Sequence, residues 1–190
     1  MLKIAVVVGS LRKDSMNKKL AQALGKLAAG KMEFQFIEIG DLPLFNQDLE
    51  ASVPASVTKF KTEIESADGV LFVTPEYNRS IPGVLKNAID WGSRPYGKSS
   101  WSAKPAAICG TSPGAIGTAV AQAHLRSITA GFLNMPTMGQ PEMYFQWKDG
   151  LIDADGTVTN DDTKKFLQGF VDKFAAHVAA NAAAAAKAAA

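Results

Sequence analysis

The chain predicts an α/β fold with a doubly wound parallel sheet, and three features of the sequence carry that expectation. Strand-like apolar runs alternate with amphipathic helical segments along the whole chain. The first run, Ile4 to Val8, is short and β-branched, as strands buried on both faces of a parallel sheet are. It passes directly into a polar loop and then a helix, which is the βα step such folds repeat.

The elements follow in order. Leu20, Leu24, Leu27 and Ala28 recur at helical spacing and mark the first helix. Phe34, Phe36 and Ile37 place a second strand within Glu33 to Glu38. Val57, Phe60 and Ile64 mark a second helix, with Pro54 near its first turn. Gly69 to Thr74, reading GVLFVT, is the most strand-like run and is expected to lie centrally. Pro82 opens a third helix that turns Leu85, Ala88 and Ile89 inward until Gly92 stops it. Pro105 to Gly110 is a fourth strand, and the helix after it is expected to cover Leu125, Ile128 and Phe132. A short fifth strand belongs within Asn134 to Tyr144. Phe166, Phe170, Val171, Phe174 and Val178 form the stripe of a final helix. One domain over residues 1–180 and an alanine-rich tail over 181–190 are expected, the tail without a function.

In such sheets ligands bind at the carboxyl ends of strands, near the point where strand order reverses. Three loops follow strands there: Gly9 to Asn17, Pro75 to Ser80, and Thr111 to Gly117. The first places Ser10, Arg12, Ser15 and Asn17 at a helix N-terminus, where free N–H groups and a partial positive charge already favour an anion. It lacks the glycine patterns of a P-loop or a dinucleotide loop, and Gly9 is its only glycine. Side-chain donors in place of glycine N–H groups suit a terminal phosphate monoester, such as that of flavin mononucleotide (FMN). The same residues also fit a plain helix cap at Ser15 with a solvated Arg12.

The second loop, Pro75-Glu76-Tyr77-Asn78-Arg79-Ser80-Ile81-Pro82, joins a rigid turn to an aromatic ring and several polar groups. Tyr77 suits the wall of a flavin ring and Asn78 its polar edge, while Glu76 reads that edge or faces a neighbouring subunit. A purely structural turn is the competing reading. The third loop, Thr111-Ser112-Pro113-Gly114-Ala115-Ile116-Gly117, is small enough to let a planar ligand approach the backbone.

Composition excludes several classes. A net charge of +2 with scattered basic residues argues against nucleic acid as a partner. A single cysteine, Cys109, precludes an intrachain disulfide or Cys-x-x-Cys chemistry and fits a buried thiol in a reducing compartment. Neither a signal peptide nor a membrane-spanning run is expected, so the protein is read as cytoplasmic. His124 and His177 fit packing or surface roles, with no metal site. Asp153-Ala154-Asp155-Gly156 lacks the later ligands of a calcium loop and reads as a turn. Trp91, Trp101, Trp147, Met135, Met138 and Met143 suit the core or subunit contacts. No catalytic triad or paired-carboxylate arrangement can be assembled.

Gly9-Ser10-Leu11-Arg12 with Ser15 and Asn17, and the segment TPEYNRSIPGVLKNAIDWGSR from Thr74 to Arg94, resemble the two signatures of the NAD(P)H-dependent FMN reductase family, in its soluble quinone and chromate reductase branch. The similarity runs to about Val178. It implies a flavodoxin-like fold with sheet order 2-1-3-4-5, non-covalent FMN, NADPH or NADH as donor, and a homodimer or homotetramer with sites near subunit contacts. By position, Ser10, Arg12, Ser15 and Asn17 would hold the phosphate together with the Met16 backbone. Pro75, Glu76, Tyr77 and Asn78 would hold the isoalloxazine, and Ser112 and Gly114 would complete the pocket. The implied reaction passes a hydride from NAD(P)H to FMN and then electrons to quinones, chromate or similar small-molecule acceptors, with no catalytic acid or base. Arg94 is a candidate anion contact to nicotinamide phosphate or an oxyanion acceptor, with a surface ion pair as the alternative. A flavodoxin-type electron carrier is the competing function, and its usual acidic docking face is not matched by this balanced charge.

Overall fold

The computed structural model describes residues 1–188, and of residues 183 and 185–188 only the helical backbone. Five strands form one sheet: β1 (Leu2–Val8), β2 (Met32–Phe36), β3 (Gly69–Val73), β4 (Ala106–Ser112) and β5 (Met143–Gln146). Their order is β2-β1-β3-β4-β5 and every pair is parallel. This is the flavodoxin-like order, with its reversal between β1 and β3. The helices are α1 (Met16–Leu27), α2 (Ala55–Glu65), α3 (Gly83–Gly92), α4 (Ala119–Thr129) and α5 (Asp161–Ala188).

Two-residue alternation along the strands divides the core into two layers. Ile4, Val6, Leu71, Val73, Ala107 and Cys109 pack with Leu20 and Leu24 of α1 and with Phe170, Phe174 and Val178 of α5. Ala5, Val7, Val70, Phe72 and Ile108 pack with α2, α3 and α4 through Phe60, Ile64, Leu85, Trp91 and Leu125. All five residues of β3 are buried, as the run GVLFV requires of a central strand. Each such large apolar side chain contributes about 1.5–3 kcal/mol by leaving water. Trp101 is seated directly against Gly92, where an added Cβ would lie 2.4 Å from the indole, and its Nε1 donates to the Ile89 carbonyl at 3.0 Å. A side chain at position 92 would unseat it.

Three expectations are corrected. The fifth strand begins only at Met143 and runs to Gln146, because the segment before it forms turns and one isolated bridge, Ala106 to Thr137. α4 ends at Thr129, leaving Phe132 outside the helix and 78% exposed. Phe166 is 48% exposed, and Leu167 takes the buried place at the start of the α5 stripe. A 3₁₀ turn over Gln47–Ala51, capped by Asn46, lies between β2 and α2. The alanine run continues α5 to Ala188, and residues 189–190 lie outside the described residues. Among the described residues no helix is long and apolar enough to cross a membrane.

Candidate functional site

The first loop gathers unpaired donors at the N-terminus of α1. β1 delivers Gly9, whose N–H donates to the Val73 carbonyl at 2.9 Å and whose missing Cβ leaves room for Leu85 and Pro75 at 3.2 and 3.4 Å. Ser15 then caps α1 by accepting from the Lys18 N–H at 3.2 Å. The Ser10 hydroxyl accepts from the Arg12 N–H at 3.4 Å. Backbone N–H groups of Ser10, Leu11 and the run from Lys13 to Asn17 have no acceptor among the described residues. The first turn of α1 holds no acid and carries Lys18. Ser10, Arg12, Lys13 and Lys18 line a cavity of about 150 Å³ beside Phe36 to Ile39. Free donors, a helix N-terminus and the cations Arg12, Lys13 and Lys18, which outnumber the nearby acids Asp14 and Glu38, together suit an anion.

Asn17 has a different duty from its neighbours. Its amide nitrogen donates to the Thr111 carbonyl and its amide oxygen accepts from the Thr111 N–H, both at 2.9 Å. The side chain is buried and spent on tying the first loop to the third, so only its backbone N–H faces outward demand. The Thr111 hydroxyl is buried without a partner at the same place.

In the second loop, Tyr77 and Ser80 exchange two backbone hydrogen bonds at 2.9 and 3.0 Å. The two residues between them, Asn78 and Arg79, have φ of 50° and 64°, the left-handed pair of a type I′ turn. An arginine held there stores roughly 1 kcal/mol or more of backbone strain. The turn leaves Tyr77 48% exposed, and the Asn78 side chain makes no hydrogen bond among the described residues. Both are therefore available to a planar ligand. Glu76 is not: its Oε2 accepts from the N–H groups of Val120 and Ala121, at 3.0 and 3.1 Å, in the first turn of α4. Its Oε1 lies 3.5 Å from Arg79. The carboxylate thus braces α4 rather than presenting itself to a ring edge. Ser80 meets His124 across α4, Oγ to Nδ1 at 3.1 Å.

The third loop is closed on itself. The Ser112 hydroxyl donates to the Gly117 carbonyl at 2.6 Å, and Gly117, at φ +57°, returns its N–H to Gly114 at 3.0 Å. Gly110 allows this close approach, since a Cβ there would stand 2.1 Å from the Thr74 carbonyl oxygen and 2.3 Å from the Thr118 hydroxyl. Ser112 and Gly114 therefore offer backbone and shape. Ile116 remains half exposed at the loop crest.

Arg94 is not brought to these loops. It follows the far end of α3, whose ten residues run about 15 Å away from Pro82. There it lies 5.4 Å over the Phe45 ring and lines a cavity with Glu50, Lys61, Glu65 and Trp91. Burial pushes the Cys109 thiol far up, which makes it an inert core residue. His177 contacts the Pro136 carbonyl at 2.7 Å, and Asp153 and Asp155 both accept from the Thr157 N–H, so packing and turn roles hold for them. No group of metal-ligating side chains occurs among the described residues.

The profile of the NADPH-dependent FMN reductases matches residues 2–149. The chain belongs to that family. Two curated relatives are similar over nearly their whole length. One is a 2-hydroxy-1,4-benzoquinone reductase of a Burkholderia species, 58% identical, spanning 93% of this chain and 96% of that protein. The other is a quinone reductase of Pseudomonas putida, 54% identical, spanning 95% and 96%. Among solved structures, the flavoenzyme NAD(P)H:(acceptor) oxidoreductase FerB of Paracoccus denitrificans superposes with a TM-score of 0.92 at 53% identity, covering 95% of this chain and 99% of that one. The family's cofactor is FMN with NAD(P)H as donor, and the residues present fit it. The unpaired N–H groups and cations of the first loop suit its phosphate, and exposed Tyr77 with free Asn78 suits its ring.

Proposed function

We propose that this member of the FMN reductase family reduces quinones with electrons from NAD(P)H, and that the same reduced cofactor also serves oxyanion acceptors such as chromate. The observation that supports the reading most is the first loop, whose unpaired N–H groups stand beside Arg12 and Lys18 with no acid in the helix turn. Backbone N–H groups from Lys13 to Asn17, with the Ser10 and Ser15 hydroxyls and Arg12, hold the phosphate. Met16 and Asn17 contribute through the backbone alone. Tyr77 and Asn78 hold the ring against the third loop, where Ser112 and Gly114 set the wall.

FMN when bound supplies the hydride and electron transfer. The protein's part is to position and to adjust charge. The two-way clamp of Asn17 on Thr111 and the brace of Glu76 on α4 fix the three loops relative to one another, so that nucleotide and acceptor meet the ring in one geometry. No side chain is needed as acid or base at the hydride step. Arg94 would reach a site only from a second copy of the chain, and we assign it an anion contact there, with a homodimer as the smallest working unit. Arg94→Ala is expected to raise KM for NADPH or for an anionic acceptor; unchanged kinetics with every donor and acceptor would remove that role.

The deciding experiment is an anaerobic titration of the FMN-loaded protein with NADPH and, separately, NADH. Full bleaching of the flavin band, reversed by a quinone, is expected. Bound flavin that neither nucleotide bleaches would indicate a carrier instead, and absence of bound flavin would refute the site.

A further inference from the structure

We infer that the Glu76 carboxylate lowers the reduction potential of the bound flavin by neutralising the N-terminal end of α4 from inside the protein. The inference rests on the flavin reading of the site. α4 is eleven residues long, has no side-chain cap from Thr118 and no acid in its own first turn. Its cap comes instead from Glu76, 44 and 45 residues away in sequence, through hydrogen bonds of 3.0 and 3.1 Å to Val120 and Ala121. The Glu76 side chain is only 11% exposed, so its charge is weakly screened on the protein side. Among the described residues the cation paired with it is Arg79, at 3.5 Å and 71% exposed, which offsets part of that charge.

Position turns this brace into an electronic device. Glu76 directly precedes Tyr77 and Asn78, and α4 directly follows the loop Thr111 to Gly117, so both segments assigned to the ring converge on this contact. An uncapped helix N-terminus acts as roughly half a positive charge and would favour an electron-rich ring beside it. A full carboxylate on that terminus leaves the local sum negative. Adding two electrons and one proton to the flavin gives the ring one further negative charge, which a negative surrounding disfavours. The reduced cofactor is therefore a stronger donor than it would be beside a bare helix end.

Three variants of the FMN-loaded protein test this by spectroelectrochemical titration together with FMN binding. Glu76→Gln keeps an acceptor oxygen for the two N–H groups and removes the charge. It is expected to retain FMN and to shift the reduction equilibrium about tenfold toward the reduced form, or ~30 mV for a two-electron couple. Arg79→Glu, which leaves the brace intact, is expected to shift it the other way. Glu76→Ala loses brace and charge together, and is expected to weaken FMN binding as well as to raise the potential. FMN-loaded Glu76→Gln with the wild-type potential would overturn the inference. Where that variant fails to hold FMN, an unchanged potential in Arg79→Glu would overturn it equally. Failure of the flavin reading looks different, because the wild-type protein would then bind no FMN at all.

Discussion

The first loop and the pair formed by the second and third loops sit at the same end of the sheet yet are finished in opposite ways. From Lys13 to Asn17 the backbone N–H groups have no acceptor among the described residues, and the side chains around them include the cations Arg12, Lys13 and Lys18 and the hydroxyls of Ser10 and Ser15, against the acids Asp14 and Glu38. In the other two loops most polar side chains are already engaged: Glu76 on α4, Ser112 on Gly117, Ser80 on His124. An anion cradle must stay unsatisfied until its ligand arrives, because its donors are the binding energy. A wall for a flat ring needs rigidity instead, and rigidity comes from engaging the groups that would otherwise move. Motif residues that look alike in sequence thus divide into those left open to a ligand and those spent on holding the loops together.

The largest effects should come from breaking the rigid half. Gly110→Val places carbon atoms well inside van der Waals distance of the Thr74 carbonyl, which is backbone, and of the Thr118 hydroxyl. A loss at or beyond the top of the usual ~1–3 kcal/mol range for overpacking is expected, read as a collapse in thermal midpoint or in soluble yield. Wild-type melting would mean that the third loop is soft. Next comes Asn17→Ala, which orphans the buried N–H and carbonyl of Thr111 together. Each orphaned group costs about 1–3 kcal/mol, so apoprotein stability and FMN affinity should fall in parallel. A loss of affinity at unchanged stability would instead make Asn17 a direct ligand.

Those two sites also mark where the sequence was readable. The order of strands and helices was legible because Ile4 to Val8, GVLFV and the stripes of α1 and α5 carry local periodicity. The three loops were legible because they must follow strands at one end of the sheet. Local pattern cannot report a partner 94 residues away, which is why Asn17 reads as a phosphate ligand rather than a clamp on Thr111. The hold of Glu76 on α4 was hidden for the same reason, its partner being 44 residues on. One signal was available: α4 opens without an acid or a good cap in its own first turn, and such a helix must find its acceptor elsewhere. β5 was misplaced because an edge strand of four residues has too few positions to show a period. Arg94 illustrates the remaining gap, since proximity to a motif in sequence ran along α3 and away from the loops.

The open half is tested by Arg12→Ala. Arg12 makes no side-chain contact with protein acceptors among the described residues and lines the cationic cavity, so its removal should leave apoprotein melting unchanged. One charge-assisted hydrogen bond contributes about 1.5–3 kcal/mol, which predicts FMN affinity roughly tenfold to a hundredfold weaker by fluorescence titration. A shift in apoprotein stability without a change in affinity would reverse the assignment of the two halves.

The smallest effect expected is the most discriminating for the rigid half. Ser112→Ala removes a single hydrogen bond to the Gly117 carbonyl in a loop whose remaining closure, from Gly117 to Gly114, survives. The cost to stability should be about 0.5–1.5 kcal/mol, and FMN affinity should fall by no more than that loss of loop order implies. If the hydroxyl acted directly on the flavin, the variant would change the flavin absorption spectrum while leaving melting alone. A pure staple does the reverse, lowering the melting temperature and leaving the spectrum of the bound flavin as it was. Melting and spectrum measured on one sample therefore separate a residue that shapes the wall from one that touches the ring.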